Sequence, residues 1–265
     1  MRGKTEVFIK GMIVGGTMLV PGVSGGSMAM ILGIYDRLIR AVSMLPRQMF
    51  GNLIFLGMFA AGGGIGMMFF SRPLLFLVEN YKMPSLYFFI GAVLGGIPMI
   101  GKKAKADKFS IKDSGWIFTG AGVVLLLALA EQRGILMETG HLEIWSLVAA
   151  GAVGAVALIL PGISVSYLFL AMGLYDIIIK AIRDIQFEVL LSLGIGLLLG
   201  IALTTRLLET AMRCFPRATY LIILGFVMGA VGTIFPGLPR GEQWLVCPLL
   251  AVVGYIGVRW ISSKE

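Results

Sequence analysis

Val20-Pro21-Gly22-Val23-Ser24-Gly25-Gly26-Ser27 interrupts an apolar run near the start of the chain, and Leu160-Pro161-Gly162-Ile163-Ser164-Val165-Ser166 repeats it in altered form. Each copy leads through a short apolar stretch into Gly-x-Tyr-Asp, at 33–36 and 173–176. The offset is 140 throughout, and between 20–42 and 160–182 eight of 23 positions are identical. An apolar chain carrying two copies of a helix-breaking loop has the pattern of a transporter built from a duplicated unit.

Composition places the chain in a membrane. Hydrophobic residues make up 58% and charged ones 14%, with mean hydropathy +0.94. A soluble domain is roughly 45–50% apolar and about 25% charged. Thirty-seven glycines suit closely packed membrane helices. The formal charge of +8 is read as topology, with Lys and Arg marking cytoplasmic loops, and not as a nucleic-acid surface. Cys214 and Cys247 fall at opposite ends of neighbouring spans, so no disulfide is expected, and no metal-ligand spacing or cofactor motif is present. The first twenty residues mimic a signal peptide but lack a small-x-small cleavage site, so they are read as retained structure.

Membrane spans are expected at roughly 52–70, 85–100, 115–130, 187–203, 218–236 and 244–261. The motif regions, about 7–35 and 144–175, are each one broken span or a hairpin returning to its side of entry. Hairpins with a cytoplasmic N-terminus put sixteen of the twenty-two Lys and Arg inside, whereas single spans give eleven and eleven. The positive-inside bias favours hairpins. Three spans then separate the motifs, so the second enters from the opposite face and the duplication is an inverted repeat. The fold expected is an all-α integral membrane protein with two re-entrant broken-helix hairpins and about six transmembrane helices, both termini cytoplasmic. Repeat one runs about 5–114 and repeat two about 142–243, with a linking helix at 115–130 and a final helix at 244–261, all in a single membrane domain. Ser71-Arg72 matches Thr205-Arg206 at offset 134, and Gly91-x-x-x-Gly95 matches Gly225-x-x-x-Gly229 at the same offset. These glycine pairs are read as packing faces.

The loops carry the chemistry. Pro21 and Pro161 remove a backbone donor and stop a helix. Gly22, Gly25, Gly26 and Gly162 admit backbone angles that other residues resist. Ser24 and Ser27 suit the cap of a half-helix starting near Met28, and unpaired N–H groups at such a start attract anions. Irregular backbone at membrane depth is tolerated only inside protein or along a polar cavity. Two tips entering from opposite faces meet near the midplane, and a small anionic group held there would contact Ser24 and Ser27 on one side and Ser164 and Ser166 on the other. The plainer reading is a tight connection with no ligand. Arg72 and Arg206 are the charged candidates, with interfacial snorkelling as the bland alternative. Asp36 and Asp176 are taken to end the second half-helices beside Tyr35 and Tyr175, as possible support for the site or as a plain interface belt. Lys10 is read as an anchor. No His/carboxylate cluster or nucleophile–base spacing points to catalysis, and His141 falls in an external loop.

These paired motifs resemble the polyprenyl-phosphate transporter family PopT, a bacterial membrane family formerly filed as a domain of unknown function. The likeness spans nearly the whole chain. It implies transport of undecaprenyl phosphate, the carrier lipid of cell-wall synthesis, from the outer to the inner leaflet of the bacterial cytoplasmic membrane. Two departures stand out. Met18 sits three places before Pro21, where the family usually has an acid, and Val165 replaces the Gly of the usual Ser-Gly-Ser. The first puts a proton-coupling role for that acid in doubt, and the second makes the half-sites unequal.

Two rivals remain open at this level. A small-anion transporter or channel would use the same loops with a sealed aqueous path. A membrane-embedded lipid-phosphate enzyme would need an acid/base cluster. Coupling ion, prenyl length and oligomeric state are not encoded in any motif.

Overall fold

The computed structural model describes residues 2–18, 24–45, 49–104, 110–133, 144–241 and 243–262. Among these it is helical, with no strand. The first half runs α1 (Arg2–Thr17), α2 (Gly25–Ile31), α3 (Tyr35–Ser43), α4 (Met49–Asn80), α5 (Lys82–Lys103) and α6 (Ile111–Arg133). The second runs α7 (Ile144–Ile159), α8 (Val165–Ala171), α9 (Tyr175–Arg183), α10 (Phe187–Cys214), α11 (Pro216–Ile234) and α12 (Gln243–Ser262). Pro21, Gly22, Lys105, Glu138 and His141 lie outside the described residues.

Six helices are long and apolar enough to cross a membrane: α4, α5, α6, α10, α11 and α12. They correspond one to one with the six expected spans, and each runs past at least one limit drawn from hydropathy. The protein is an all-α, multi-pass membrane protein. The stretch resembling a signal peptide is α1, a helix packed along α4.

The two halves repeat one another element by element. α1 and α7 have 16 residues each, α2 and α8 have 7, and α3 and α9 have 9. α1 packs on α4 as α7 packs on α10, and α5 packs on α12 as α11 packs on α6. Each half thus completes its packing with the other half's last helix.

Glycines make these pairs possible. A Cβ on Gly91 would strike the Ala251 carbonyl oxygen, and one on Gly95 would lie 2.6 Å from that of Tyr255. On the other side, a Cβ on Gly225 would strike the Ile117 carbonyl and one on Gly229 would come within 2.9 Å of Val124. The expected packing faces are therefore real, and they bring backbones close enough for dispersion to hold helices together in lipid. Gly11 and Gly62 do the same between α1 and α4, meeting Phe59 and Phe8. Gly66 meets Met12. These contacts advance in the same direction along both helices, so α1 and α4 run parallel. Gly151 against Leu193, and Gly196 and Gly200 against Val148 and Ala152, make α7 and α10 parallel too.

α5 and α11 form the centre. Over their most apolar stretch, 56% of each is buried, against 17–22% for the other four spans. Phe69, Leu198 and Leu245 are among the large side chains left facing outward, as a lipid-exposed surface requires.

Two expectations need correction. The half-helix expected to start near Met28 starts at Gly25, because Ser24 is extended (φ −84, ψ 142) and caps from one residue before. Asp36 and Asp176 do not end half-helices. They stand in the first turn of α3 and α9. The chain breaks just before them at Gly33 and Gly173, whose φ values of 67 and 68 lie in the left-handed region that glycine reaches without strain.

Candidate functional site: the meeting of the two loops

The two motif loops touch. The Gly162 N–H donates to Ser24 Oγ at 2.8 Å, a bond between residues 138 apart in sequence. Ser24 Oγ also accepts from the Ser27 N–H at 3.1 Å, the capping bond of α2, and lies 2.9 Å from Ser27 Oγ. Ser27 is buried. Gly162 has φ +86, and a Cβ there would collide with the Phe226 carbonyl of α11. A Cβ on Gly26 would come within 3.1–3.2 Å of the Ile159 carbonyl and of Pro161. Glycine is thus required at Gly162, by backbone angle and by contact, and Gly26 makes a close approach that a Cβ would tighten.

A second strut ties the halves. Tyr35 is buried and its hydroxyl donates to the Ile159 carbonyl at 2.9 Å. That carbonyl belongs to the last turn of α7, which lacks an intrahelical partner. Tyr175, the repeat mate, makes no such bond among the described residues. The two half-sites are unequal, and the inequality reaches the packing: α3 lies on α10, whereas α9 makes no comparable contact with α4.

Beside the loop contact lies a cavity of about 420 Å³, walled by α1, α2, α3, α4, α7 and α10. Gly25 and Gly26 line it, and Met18, Phe59, Leu158 and Ile201 supply apolar wall. Leu158 in that wall is 37% exposed, so the cavity lining reaches the surface at α7. Met18 occupies the place where the family resemblance leads one to expect an acid, and it packs on Gly25. The wall is therefore apolar at this position. Thr205 also lines it, with its hydroxyl committed to the Ile201 carbonyl at 2.7 Å.

The remaining candidates are spread out. Ser164 holds the cap position of α8 without a side-chain capping bond and faces a small void near Val124 and Thr233. Ser166 lies in α8 and only its backbone is described. Arg72 and Arg206 are exposed on α4 and α10, and neither lines the cavity at the loops. Lys10 pairs with Glu6 at 3.0 Å, one turn apart on α1. Asp176 is exposed. Cys214 is exposed and Cys247 buried, both free. No group of acids, His and Cys able to hold a metal occurs among the described residues.

Asp36 does more than its sequence context indicates. Its Oδ2 accepts from Lys103 Nζ at 2.7 Å and from the Tyr220 hydroxyl at 3.0 Å, joining α3 to α5 and α11. Its Oδ1 is buried without a donor among the described residues. Close by, a cavity of about 230 Å³ is lined by Asp36, Ile39, Arg40, Glu209, Arg213 and Tyr220. Lys103, Tyr220, Glu209 and Arg213 were not legible as site residues. Only Arg40, paired with Lys180 in the repeat, had any sequence signal.

This architecture has relatives. The VCA0040-like family, described as undecaprenyl phosphate translocase-like, matches residues 14–245, from within α1 to the start of α12. The chain belongs to this family. It is 28% identical over 261 residues to a polyprenyl-phosphate transporter of Staphylococcus aureus, covering 94% of this chain and 92% of the relative. It is 25% identical over 254 residues to a polyprenyl-phosphate transporter of Vibrio cholerae, covering 89% and 80%. No solved structure matches.

Proposed function

We propose that this protein is a translocase that moves undecaprenyl phosphate from the outer to the inner leaflet of the bacterial cytoplasmic membrane. The observation that carries the reading is the direct contact of two broken loops, Ser24 to Gly162, beside an apolar cavity lined by Gly25, Gly26 and Ile159. The phosphate head crosses at the loops while the prenyl tail keeps to the apolar wall. Moving one loop against the other breaks a few hydrogen bonds and exposes backbone N–H groups that can hold an oxyanion. Ser24 and Ser27, with the backbone of Gly25 and Gly26, flank that passage from the first loop, and Ser164 and Ser166 follow Gly162 in the second as the groups that would meet the phosphate once the loops part. Arg72 and Arg206 lie outside it, one on each half, as approach residues.

The inverted arrangement has geometric support. α1 parallel to α4, and α7 parallel to α10, is what a hairpin returning to its side of entry requires. Arg213 and Tyr220 flank one cavity with Asp36 and Arg40, and Asp36 pairs with Lys103. Hairpins put all of these charges on the cytoplasmic side. Single spans would put Arg213 across the membrane from Arg40 and Lys103. The matching pairs α5–α12 and α11–α6 support a repeat that takes in α6 and α12 besides 5–114 and 142–243.

A soluble-anion transporter is the second reading. It needs a polar, sealed path, and the cavity at the loops is walled by Met18, Phe59, Leu158 and Ile201 and opens at the surface. An enzyme would need an acid/base pair at the loops, where the described side chains are hydroxyls and hydrocarbons. The test is reconstitution in liposomes with a leaflet-sensitive assay of undecaprenyl phosphate. Movement of the phosphate lipid, without release of phosphate, is expected. A protein that moves no undecaprenyl phosphate, yet passes inorganic phosphate, would refute the translocase.

A further inference from the structure

The geometry points to a second station for the phosphate head, in the 230 Å³ cavity where α3, α10 and α11 meet. The ligand class is the phosphate monoester of a long-chain lipid. This inference rests on the translocase reading and adds to it a place, a set of residues and a sidedness.

The shape is that of an amphiphile. Ile39 lines both this cavity and the 420 Å³ apolar one, so a polar chamber adjoins an apolar chamber across one side chain. A lipid whose tail lies along the apolar wall can place its head among Arg40, Arg213 and Tyr220.

The charges suit a phosphate. Arg40 comes from the first half and Arg213 from the second. Arg213 makes no ion pair or side-chain hydrogen bond among the described residues. Among the described residues Arg40 commits only Nε, to the Asp36 backbone carbonyl at 3.3 Å. Lys103 already neutralises Asp36. Two guanidiniums therefore share the cavity with Glu209, the one lining carboxylate with no paired cation among the described residues. Guanidinium forks match phosphate oxygens in pairs, which an ammonium cannot do. Asp36 Oδ1, buried with no donor, completes the set. A phosphomonoester whose second pKa lies near ~6 carries a P–OH part of the time at neutral pH, and that hydroxyl can donate to Oδ1.

The second half has no equivalent. At the offset of 134 that relates α4 to α10 and α5 to α11, Tyr220 corresponds to Leu86, Arg213 to Glu79, and Lys103 to Gly237. The station exists at one end only, the end of Lys103 and Arg217, which charge counting puts in the cytoplasm. Such a site does not drive net movement. It receives the head on the inner side and holds it until release.

The experiment measures equilibrium binding by native mass spectrometry of the full chain in detergent. The probes are undecaprenyl phosphate, undecaprenol and inorganic phosphate. Wild type is expected to prefer undecaprenyl phosphate to undecaprenol. Arg40→Gln and Arg213→Gln should each weaken it about ten- to a hundredfold, the loss of a hydrogen bond to a charged group. Glu209→Gln should bind more tightly than wild type, a gain that misfolding cannot produce. Thermal unfolding of each variant, matched to wild type, excludes global damage. Unchanged affinity in both arginine variants, in a protein that still transports undecaprenyl phosphate, overturns the station and leaves the translocase standing. A wild type that neither prefers nor moves undecaprenyl phosphate overturns both. Inorganic phosphate bound as tightly as the lipid, and lost in the same variants, would make the cavity a soluble-anion site and overturn the lipid assignment.

Discussion

Ser24→Ala should destabilise the protein, and Ser164→Ala should not, although sequence gives the two serines matching places. Ser24 Oγ is held in three contacts: the Ser27 N–H at 3.1 Å, Ser27 Oγ at 2.9 Å and the Gly162 N–H at 2.8 Å. Losing an N-cap hydroxyl costs about 1 kcal/mol. The Gly162 bond adds ~0.6 kcal/mol if it behaves like the average interhelical bond in a membrane protein. It adds up to ~3 kcal/mol if the N–H is left dry and unpaired. The sum is about 1.5–4 kcal/mol. At roughly 2–4 °C per kcal/mol for a chain near this size, the melting temperature should fall by several degrees or more. Ser164 makes no capping bond, so its alanine variant should stay within ~0.5 kcal/mol. The assay is thermal unfolding in one detergent at fixed lipid content, followed by helical circular dichroism. Equal melting temperatures for the two variants would show that the loop contact carries no stability, and the account of the joined loops would fail. Transport is the second readout: Ser24→Ala loosens the loop contact, so its one-way rate should change more than that of Ser164→Ala.

Further outcomes follow from particular contacts. Gly196→Ala places a methyl against the Val148 carbonyl and should cost ~1–3 kcal/mol, whereas Gly194→Ala, with open space around it, should be neutral or gain up to ~1 kcal/mol in the same melts. A double-mutant cycle of Asp36→Asn with Lys103→Met should return a coupling energy of ~0.5–3 kcal/mol, and additive effects would mean that the 2.7 Å pair contributes nothing. Single cysteines at Lys105 and Glu138 should react with impermeant reagents from opposite sides of the membrane, and labelling from one side would sink the inverted topology. Arg72→Lys should slow capture from the outer leaflet more than Arg206→Lys does. Equal, small effects on one-way transport would leave both as interface anchors.

Much of the architecture was legible because it is local. Six spans follow from hydropathy, since a helix in lipid must be apolar along its length whatever it packs against. The breaks at the two loops follow from Pro and Gly, and the packing faces from Gly91, Gly95, Gly225 and Gly229, because backbone angle and side-chain volume are properties of one residue. The half-helix boundaries were drawn wrongly. A short helix is ended by its cap and by a left-handed glycine, and Ser24 and Gly33 override the apolar pattern around them.

The candidate site was legible only in part. Ser24 was found by its motif, but its role as acceptor for Gly162 depends on a residue 138 positions away. Asp36 was marked by the repeat, yet its partners Lys103 and Tyr220 stand 67 and 184 positions off, in helices whose own sequences read as plain spans. The repeat makes the two halves interchangeable on paper. Tertiary packing separates them, because α3 lies on α10 and gains Asp36–Lys103–Tyr220, while α9 is left without the equivalent on α4. Sequence by itself determined which segments enter the membrane and where they break, since each answers to its own residues and to the lipid. The tertiary structure alone decided which loop is held, where the cavities lie and which arginines share one, because those depend on groups brought together from distant helices.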